Sequence, residues 1–313
     1  MEQPITIKLL GGLRLCDGDL PLAELPPQRP GRLLAYLALN RQRAVPREEA
    51  TAALWPDADA GTGRQNFRQA LYLLRSEFRE RSVAGPDRIL ATRDTIRLNP
   101  EAVRVDTVEF LEALRAAQSA QDPERRLCSL EEAIERYTGE LLPGFYDEVF
   151  VQERIRLANL HRSALNALVR VYRDNGRLDR AIELARLAVT LDPLDEEGHC
   201  ELIRVYASCG NTAVARRHYL EFEKVLKREL GMGPSDATRR LVESLAPSSS
   251  DGASGLAATP GRRALHRPPP ALAAHMLHSP LPREDREPAP DPLKTGSIRK
   301  AWMGLVTALI PWR

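Results

Sequence analysis

The sequence predicts a mainly α-helical protein with a small β component, in which an N-terminal winged helix-turn-helix precedes an all-α, tetratricopeptide-like helical domain. Three observations indicate this fold: strands, helices and a hairpin within the first 105 residues, a 34-residue self-similarity in the middle, and a proline-rich stretch from residue 246 onward. We therefore expect a winged-helix domain at 1–105, a helical domain at 106–245, a disordered linker at 246–296 and a short C-terminal segment at 297–313.

The chain begins with short strands. Apolar residues alternate with polar ones from Ile5 to Leu9, and the turn pairs Gly11-Gly12 and Asp17-Gly18 separate this run from two further apolar stretches. Alternation with a period of two predicts strands with one buried face. We expect a small antiparallel sheet here.

Three helices and a hairpin complete the first domain. Helical spacing of apolar residues begins near Leu33, and a second short helix, Glu48 to Leu54, follows Pro46 and ends before Pro56. The glycines at 61 and 63 predict a break before a third helix that runs to about Ser82. Residues 89–92 and 95–98, joined by a turn at Arg93-Asp94, predict the hairpin that forms the wing.

The middle of the chain repeats itself. A shift of 34 residues superposes large apolar, turn and small residues on their equivalents: Leu168 on Leu202, Tyr172 on Tyr206, Gly176 on Gly210 and Ala181 on Ala215. The tetratricopeptide repeat has this period and this order of residue types. Further helical patterns at 107–120, 125–138 and 147–165 extend the stack, and such stacks bind proteins or one another.

The third helix places different chemistry on different sides. At 100° per residue, Phe67, Leu71, Leu74 and Phe78 fall within a 60° arc and predict the buried stripe. The arginines fall next to it, followed by the amides and Tyr72, so one face is cationic and rich in planar hydrogen-bonding groups. The simplest alternative is a charged face that only meets water.

The position of this helix, third of three and before a hairpin, favours DNA recognition over that alternative. Arginine bonds guanine O6 and N7 and glutamine bonds adenine N6 and N7, whereas other arginines neutralise phosphates. The expected base-reading residues are Arg64, Gln65, Arg68, Gln69 and Tyr72. The expected phosphate contacts are Arg47, Arg75, Arg79 and, at the wing tip, Arg93.

Charge and motifs exclude several classes of function. The net charge is +3 over residues 1–105, −5 over 106–245 and +4 over 246–313, which suits a DNA-binding head on a protein-binding domain. No phosphate loop, zinc-protease or serine-hydrolase motif is present, so we expect neither an enzyme nor a cofactor. His199, Cys200, Cys209 and His218 lie on separate helices and a turn, which argues against a zinc site.

The ends of the chain suggest its compartment. The first twenty residues lack a basic cluster before an apolar run, and the four cysteines show no CxxC spacing, so we expect a reducing cytoplasm. Residues 246–296 hold ten of the 24 prolines. The final segment, 297–313, has Trp302, Leu305 and Leu309 along one side. It could tuck loosely onto the body, dock on a protein or lie in a membrane interface.

Several motifs resemble the SARP-type bacterial transcriptional activators. The recognition region is matched by Leu54 to Asp57 and Gly63 to Leu71, and the helical domain by Tyr137 to Tyr146, Glu153-Arg154, Leu191 to Glu196 and Arg228 to Ser235. The resemblance covers about residues 5–245. It implies an OmpR-like winged helix, binding to direct repeats near promoters, pairing of subunits through the helical domain and contact with RNA polymerase.

The resulting hypothesis is a cytoplasmic, sequence-specific DNA-binding regulator that acts as an activator. Its partners are expected to be double-stranded DNA, RNA polymerase and a second copy of the chain on DNA, whereas membrane contact by residues 297–313 is the less favoured possibility. The alternative is a helical protein-interaction adaptor whose winged helix no longer binds DNA. The arginine-rich face of the third helix argues against this adaptor.

Overall fold

A computed structural model describes residues 4–18, 20–80 and 87–245. It confirms the predicted fold class. The strands are β1 (Ile5–Lys8), β2 (Arg14–Asp17), β3 (Leu20–Glu24), β4 (Val45–Pro46), β5 (Ile89–Ala91), β6 (Thr95–Leu98) and β7 (Val103–Val105). The linker predicted at 246–296 and the segment predicted at 297–313 lie outside the described residues.

Ten helices lie within the described ranges. The winged helix contains α1 (Arg29–Leu39), α2 (Arg47–Leu54) and α3 (Ala60–Glu80). The helical domain contains α4 (Asp106–Ser119), α5 (Pro123–Arg136), α6 (Glu148–Asp174), α7 (Leu178–Leu191), α8 (Glu196–Ser208), α9 (Thr212–Leu230) and α10 (Asp236–Ser244). In this part of the chain no helix is both long enough and apolar enough to cross a bilayer.

Two small sheets frame the winged helix. The first has the order β3-β2-β1-β7, in which β1 pairs antiparallel with β2 and parallel with β7. The second has the order β4-β6-β5 and is antiparallel. The sequence predicted the antiparallel part and the wing hairpin, but it missed β4 and β7, each of three residues or fewer. Such short strands carry too little alternation to be recognised.

The repeat in the middle of the chain is present as two helix pairs. Gly176 and Gly210 occupy equivalent turns after α6 and α8, with φ of +72° and +73°, a backbone conformation that glycine adopts without steric cost. Ala181 and Ala215 are fully buried at the equivalent places in α7 and α9. The stretch predicted to end at 165 is part of α6. This helix is 27 residues long, extends to Asp174 and supplies the first helix of the repeat.

The winged helix and the helical domain are the two lobes of the molecule. They meet at backbone segments 9–11 and 138–142, which we call the joint. Leu10 forms an antiparallel bridge with Leu141, and the Leu142 N–H donates to the Leu9 carbonyl at 2.9 Å. The Gly11 N–H donates to the Glu140 carbonyl at 2.8 Å. A methyl group added at Gly139 would approach the Gly11 Cα to 3.1 Å, so the two segments are in close contact. The described residues from 4 to 245 accordingly belong to one compact unit.

Two charged side chains hold the joint, one at each of its segments. Buried Asp106, at the start of α4, accepts hydrogen bonds from the N–H groups of Leu9 and Leu10 at 2.9 Å each. Arg154 of α6 donates to the carbonyls of Leu141, Leu142 and Phe145 at 2.6–2.8 Å. The buried Leu142 has φ of +47°, an unusual and strained value for leucine, and these bonds hold its backbone in that conformation.

Three histidines of the helical domain are held neutral by their surroundings. The His161 ring stacks on Tyr137 with centroids 4.1 Å apart, and the His199 ring stacks on Phe222 at 3.8 Å. His199 Nδ1 lies 3.0 Å from His218 Nε2. Burial lowers the pKa of His161 and of His199 to about 4, assisted in His199 by the neighbouring His218, and burial also lowers the pKa of His218.

These values predict that acid destabilises the protein before carboxylates titrate in bulk. The unfolded chain binds protons at histidine near pH 6.5, whereas in the folded protein His161 and His199 bind them only near pH 4, so the free energy of unfolding should fall as the pH decreases between these values. Asp106 has the opposite effect on the pH dependence of stability, because burial raises the pKa of its carboxyl group in the folded state to about 6. One carboxyl group offsets at most one of the three histidines.

Urea denaturation at several pH values between 7.5 and 4.5 measures the effect. His161→Phe keeps an aromatic ring on Tyr137 but cannot titrate, so its pH dependence should be shallower than that of the parent by about one proton. Equal slopes for the two proteins would show that His161 is protonated as readily in the folded state as in the unfolded one.

Candidate nucleic-acid interface

The helix-turn-helix is formed by α2, the residues at 55–59 and α3. Asp59 caps α3: its Oδ1 accepts from the N–H groups of Gly61 and Thr62 at 2.8 and 3.0 Å, and its Oδ2 accepts from the Thr62 hydroxyl at 2.7 Å. The break predicted at residues 61–63 is therefore wrong, because these residues form the first turn of α3. The cap supplies acceptors for N–H groups that a helix start leaves unpaired.

A glycine sets the approach of α2 to α3. Gly63 is buried, and a Cβ at this position would lie 2.8 Å from Thr51 Cγ2 on α2. The Thr51 hydroxyl donates to the Arg47 carbonyl at 2.7 Å, which orients its methyl group toward α3. The Arg47 guanidinium also lies 5.8 Å from the centre of the Phe67 ring. Only a residue without a side chain allows this close contact.

The two faces of α3 are arranged as predicted. Phe67, Leu71, Leu74 and Phe78 are buried, together with Gly63 and Ala70. All the predicted base-reading and phosphate-binding residues of this helix are exposed: Arg64, Gln65, Arg68, Gln69, Tyr72, Arg75 and Arg79. Tyr72, at 70% exposure, is unusually accessible for an aromatic side chain. The structure thus brings the predicted helix residues together on one solvent-facing surface, the recognition face.

The arginines of the recognition face are paired with no carboxylate of the described residues. Among the residues that the structure describes, the ion pairs include none formed by the four arginines of α3, although Arg68 Nε donates to the Arg64 carbonyl at 3.4 Å. The helical domain differs, since Arg170, Arg173 and Arg204 all lie within 3.3 Å of the buried Glu201. The recognition face therefore keeps its charge available for an external anion.

The two remaining phosphate candidates lie at the wing. Arg93 is exposed in the turn between β5 and β6. The Arg47 N–H donates to the Asp94 carbonyl at 2.9 Å, which ties the start of α2 to this turn. The Arg47 side chain is half-buried, and its Nε has no hydrogen-bond partner among the described residues. Arg47 and Arg93 thus lie at the same end of the winged helix.

Two arginines that the sequence analysis missed contact the helix-turn-helix. Arg29, at the start of α1, donates a hydrogen bond to Gln69 Oε1 of the recognition face. Arg32 of α1 donates to the Leu54 carbonyl at the end of α2 and binds both carboxylate oxygens of Asp147, just before α6. Nothing in the local pattern around Arg29-Pro30 indicates either contact, because the partners are 22 or more residues away in the sequence.

The residues considered for zinc make separate contacts. His199 and His218 are in contact with each other, and Cys200 Sγ lies 3.1 Å from Thr238 Oγ1. Over residues 4–18, 20–80 and 87–245 no group of three or more histidine, cysteine or acidic side chains could hold a metal ion.

A protein-family model matches the helical domain. Residues 105–246 match the model of the Bacterial transcriptional activator domain. The curated proteins contain no match to this chain.

Two solved structures resemble the chain. Mycobacterium tuberculosis EmbR in complex with a low-affinity phosphopeptide aligns with a TM-score of 0.64 at 22% identity, over 78% of this chain and 65% of the EmbR chain. The Sgt2 TPR domain from Aspergillus fumigatus aligns over 48% of this chain and 91% of its own length, at 19% identity and a TM-score of 0.29. The family match over residues 105–246 agrees with the resemblance to SARP-type activators, and the likeness to EmbR, of which this chain covers 65%, concerns the fold.

The contact at Gly63 gives a testable prediction. Gly63→Ala should destabilise the protein by about 1–3 kcal/mol, the usual cost of overpacking, because the new methyl group overlaps Thr51 Cγ2. Thr51→Ser removes that methyl group and keeps the hydroxyl that bonds Arg47. The double variant should therefore recover most of the lost stability in urea denaturation. If Thr51→Ser gives no recovery, the close approach of α2 and α3 is not what requires glycine.

Proposed function

We propose that this protein is a sequence-specific DNA-binding transcriptional activator that reads the major groove with α3. The observation that carries the proposal is the recognition face: four exposed arginines, two glutamines and a tyrosine on the second helix of a helix-turn-helix, without ion pairs among the described residues. A charged face that serves only solubility does not need such an excess of positive over negative side chains.

The chemistry of the recognition face suits base edges. Arginine presents two parallel N–H donors that match guanine O6 and N7, and glutamine presents a donor and an acceptor that match adenine. The four polar base readers Arg64, Gln65, Arg68 and Gln69 lie in the N-terminal half of α3, the part that enters the groove in helix-turn-helix proteins, and Tyr72 lies just past its midpoint. We assign base contacts to this half.

Backbone contacts would surround the base readers. The 21 residues of α3 extend about 30 Å, longer than the part that one groove accommodates. Arg75 and Arg79, farther along the helix, are therefore assigned to phosphates. Arg93 on the wing, with Arg47 beside it, is assigned to the neighbouring DNA backbone, where a positive charge contributes affinity without sequence preference.

The helical domain would supply pairing and contact with RNA polymerase. Leu187 and Leu191, one turn apart on α7, are 43% and 56% exposed, and apolar exposure of this kind supports a protein-binding surface. Pairing on direct repeats would raise affinity because one short helix reads few bases. We place this activity in the cytoplasm and assign it no catalytic step. Membrane contact by residues 297–313 stays the less favoured prediction from the sequence. These residues lie outside the described ranges.

Substitutions at two arginines separate base reading from phosphate binding. Arg68→Ala should weaken binding to the specific site by about 1–3 kcal/mol and relax the preference at one base pair. Arg79→Ala should weaken binding to all sequences alike and reduce the slope of log K against log salt concentration by about 1. Fluorescence anisotropy with specific and scrambled duplexes at several salt concentrations measures both effects.

Both side chains are exposed, so neither substitution opens a cavity, and circular dichroism checks that each variant is folded. A folded Arg68→Ala variant that binds the specific site as tightly as the parent would refute base reading by this face. Failure of the parent chain itself to select any duplex from a random pool would favour the protein-interaction adaptor.

A further inference from the structure

The start of α1 is held in a fixed position relative to α3. A Cβ at Gly31 would lie 2.2 Å from the Pro26 carbonyl oxygen, so the chain turns very tightly into the helix. The Gln28 N–H donates to that same carbonyl at 2.7 Å, and the Arg32 N–H donates to the Gln28 carbonyl at 2.8 Å. Since α1 packs directly against α3, the backbone of Arg29 has a defined place beside the recognition face.

The Arg29 side chain determines which way the Gln69 amide points. Arg29 donates to Gln69 Oε1. A guanidinium has five N–H donors and no acceptor, so it can bond only the oxygen of a carboxamide and never the nitrogen. The contact therefore turns the Gln69 NH₂ group away from Arg29. The orientation of the amide follows from the chemistry of its partner.

This orientation alters what Gln69 can recognise. A glutamine that reads adenine must accept from N6 with its oxygen while it donates to N7. In this structure the Gln69 oxygen already accepts a hydrogen bond from Arg29. The other guanidinium N–H groups of Arg29 would face the N6 amino group of adenine, and two donors repel each other. Gln69 thus presents its NH₂ donor to a base edge, and this donor matches the acceptors O6 and N7 of guanine.

We propose that Arg29 is a specificity-determining residue, which through its contact with the Gln69 oxygen makes Gln69 select guanine instead of adenine. The inference rests on the proposed DNA-binding function and adds to it a base preference and a residue outside the helix-turn-helix. Arg29 acts here through Gln69, so its removal changes base preference as well as affinity.

The experiment compares base preference in the full chain and four variants. Duplexes selected by the parent from a random pool define the site, and each position is then replaced by all four base pairs. The position read by Gln69 is the one whose preference Gln69→Ala abolishes. Arg29→Gln, Gln69→Ala, the double variant and Arg43→Gln are assayed by fluorescence anisotropy at one salt concentration. Arg43, which pairs with Glu49, controls for the loss of one positive charge from the same lobe.

The proposal gives a specific pattern. The parent should prefer guanine at this position, and Arg29→Gln should shift the guanine-to-adenine affinity ratio toward adenine by about tenfold, within the range of one bidentate contact. The double variant should show the same flat preference as Gln69→Ala. Arg43→Gln should leave the ratio unchanged.

Other outcomes overturn the proposal. A uniform loss of affinity in Arg29→Gln without a change in the ratio would make Arg29 a phosphate contact only. A parent that prefers adenine, or a Gln69→Ala variant that alters no position, would also refute it while leaving the proposed function intact. If the parent selects no duplex at all, the proposed function fails as well.

Discussion

The hydrogen bonds at the joint constrain the arrangement of everything else in the molecule. Asp106 binds backbone N–H groups of one segment, Arg154 binds backbone carbonyls of the other, and the two segments bond each other. Buried backbone groups must be paired, so separating the lobes would expose or orphan them. The winged helix and the helical domain therefore form one body, and the place of α3 is defined relative to both.

This constraint connects the helical domain to DNA recognition. Arg32 binds Asp147, at the start of α6, and the Leu54 carbonyl, at the end of α2. It also lies 5.9 Å from the ring of Trp55, which begins the turn into α3. A displacement of α6 would thus be transmitted to the helix-turn-helix through one side chain. Contacts made by the helical domain can in this way be linked to the orientation of the recognition face.

The sequence predicted the parts of the structure that local patterns encode. The buried stripe of α3 follows from the 3.6-residue period, and the equivalent turns at Gly176 and Gly210 follow from the repeat. Other features depend on distant residues: β7 is a strand because β1 lies beside it, and Arg29 meets Gln69 across 40 residues. The glycines at 61 and 63 favour a break in the helix, but the Asp59 cap stabilises this segment as the first turn of α3. Here a cap outweighs the low intrinsic helix propensity of glycine.

The central claim is that the recognition face lies in the major groove, and methylation protection of guanine N7 tests it most directly. N7 faces the major groove alone, so the reagent reports contact there independently of affinity. We expect protected guanines within the selected site in the complex with the parent chain, and loss of protection at one of them with Arg68→Ala. Guanines that remain fully reactive in a saturated, sequence-specific complex would contradict the account.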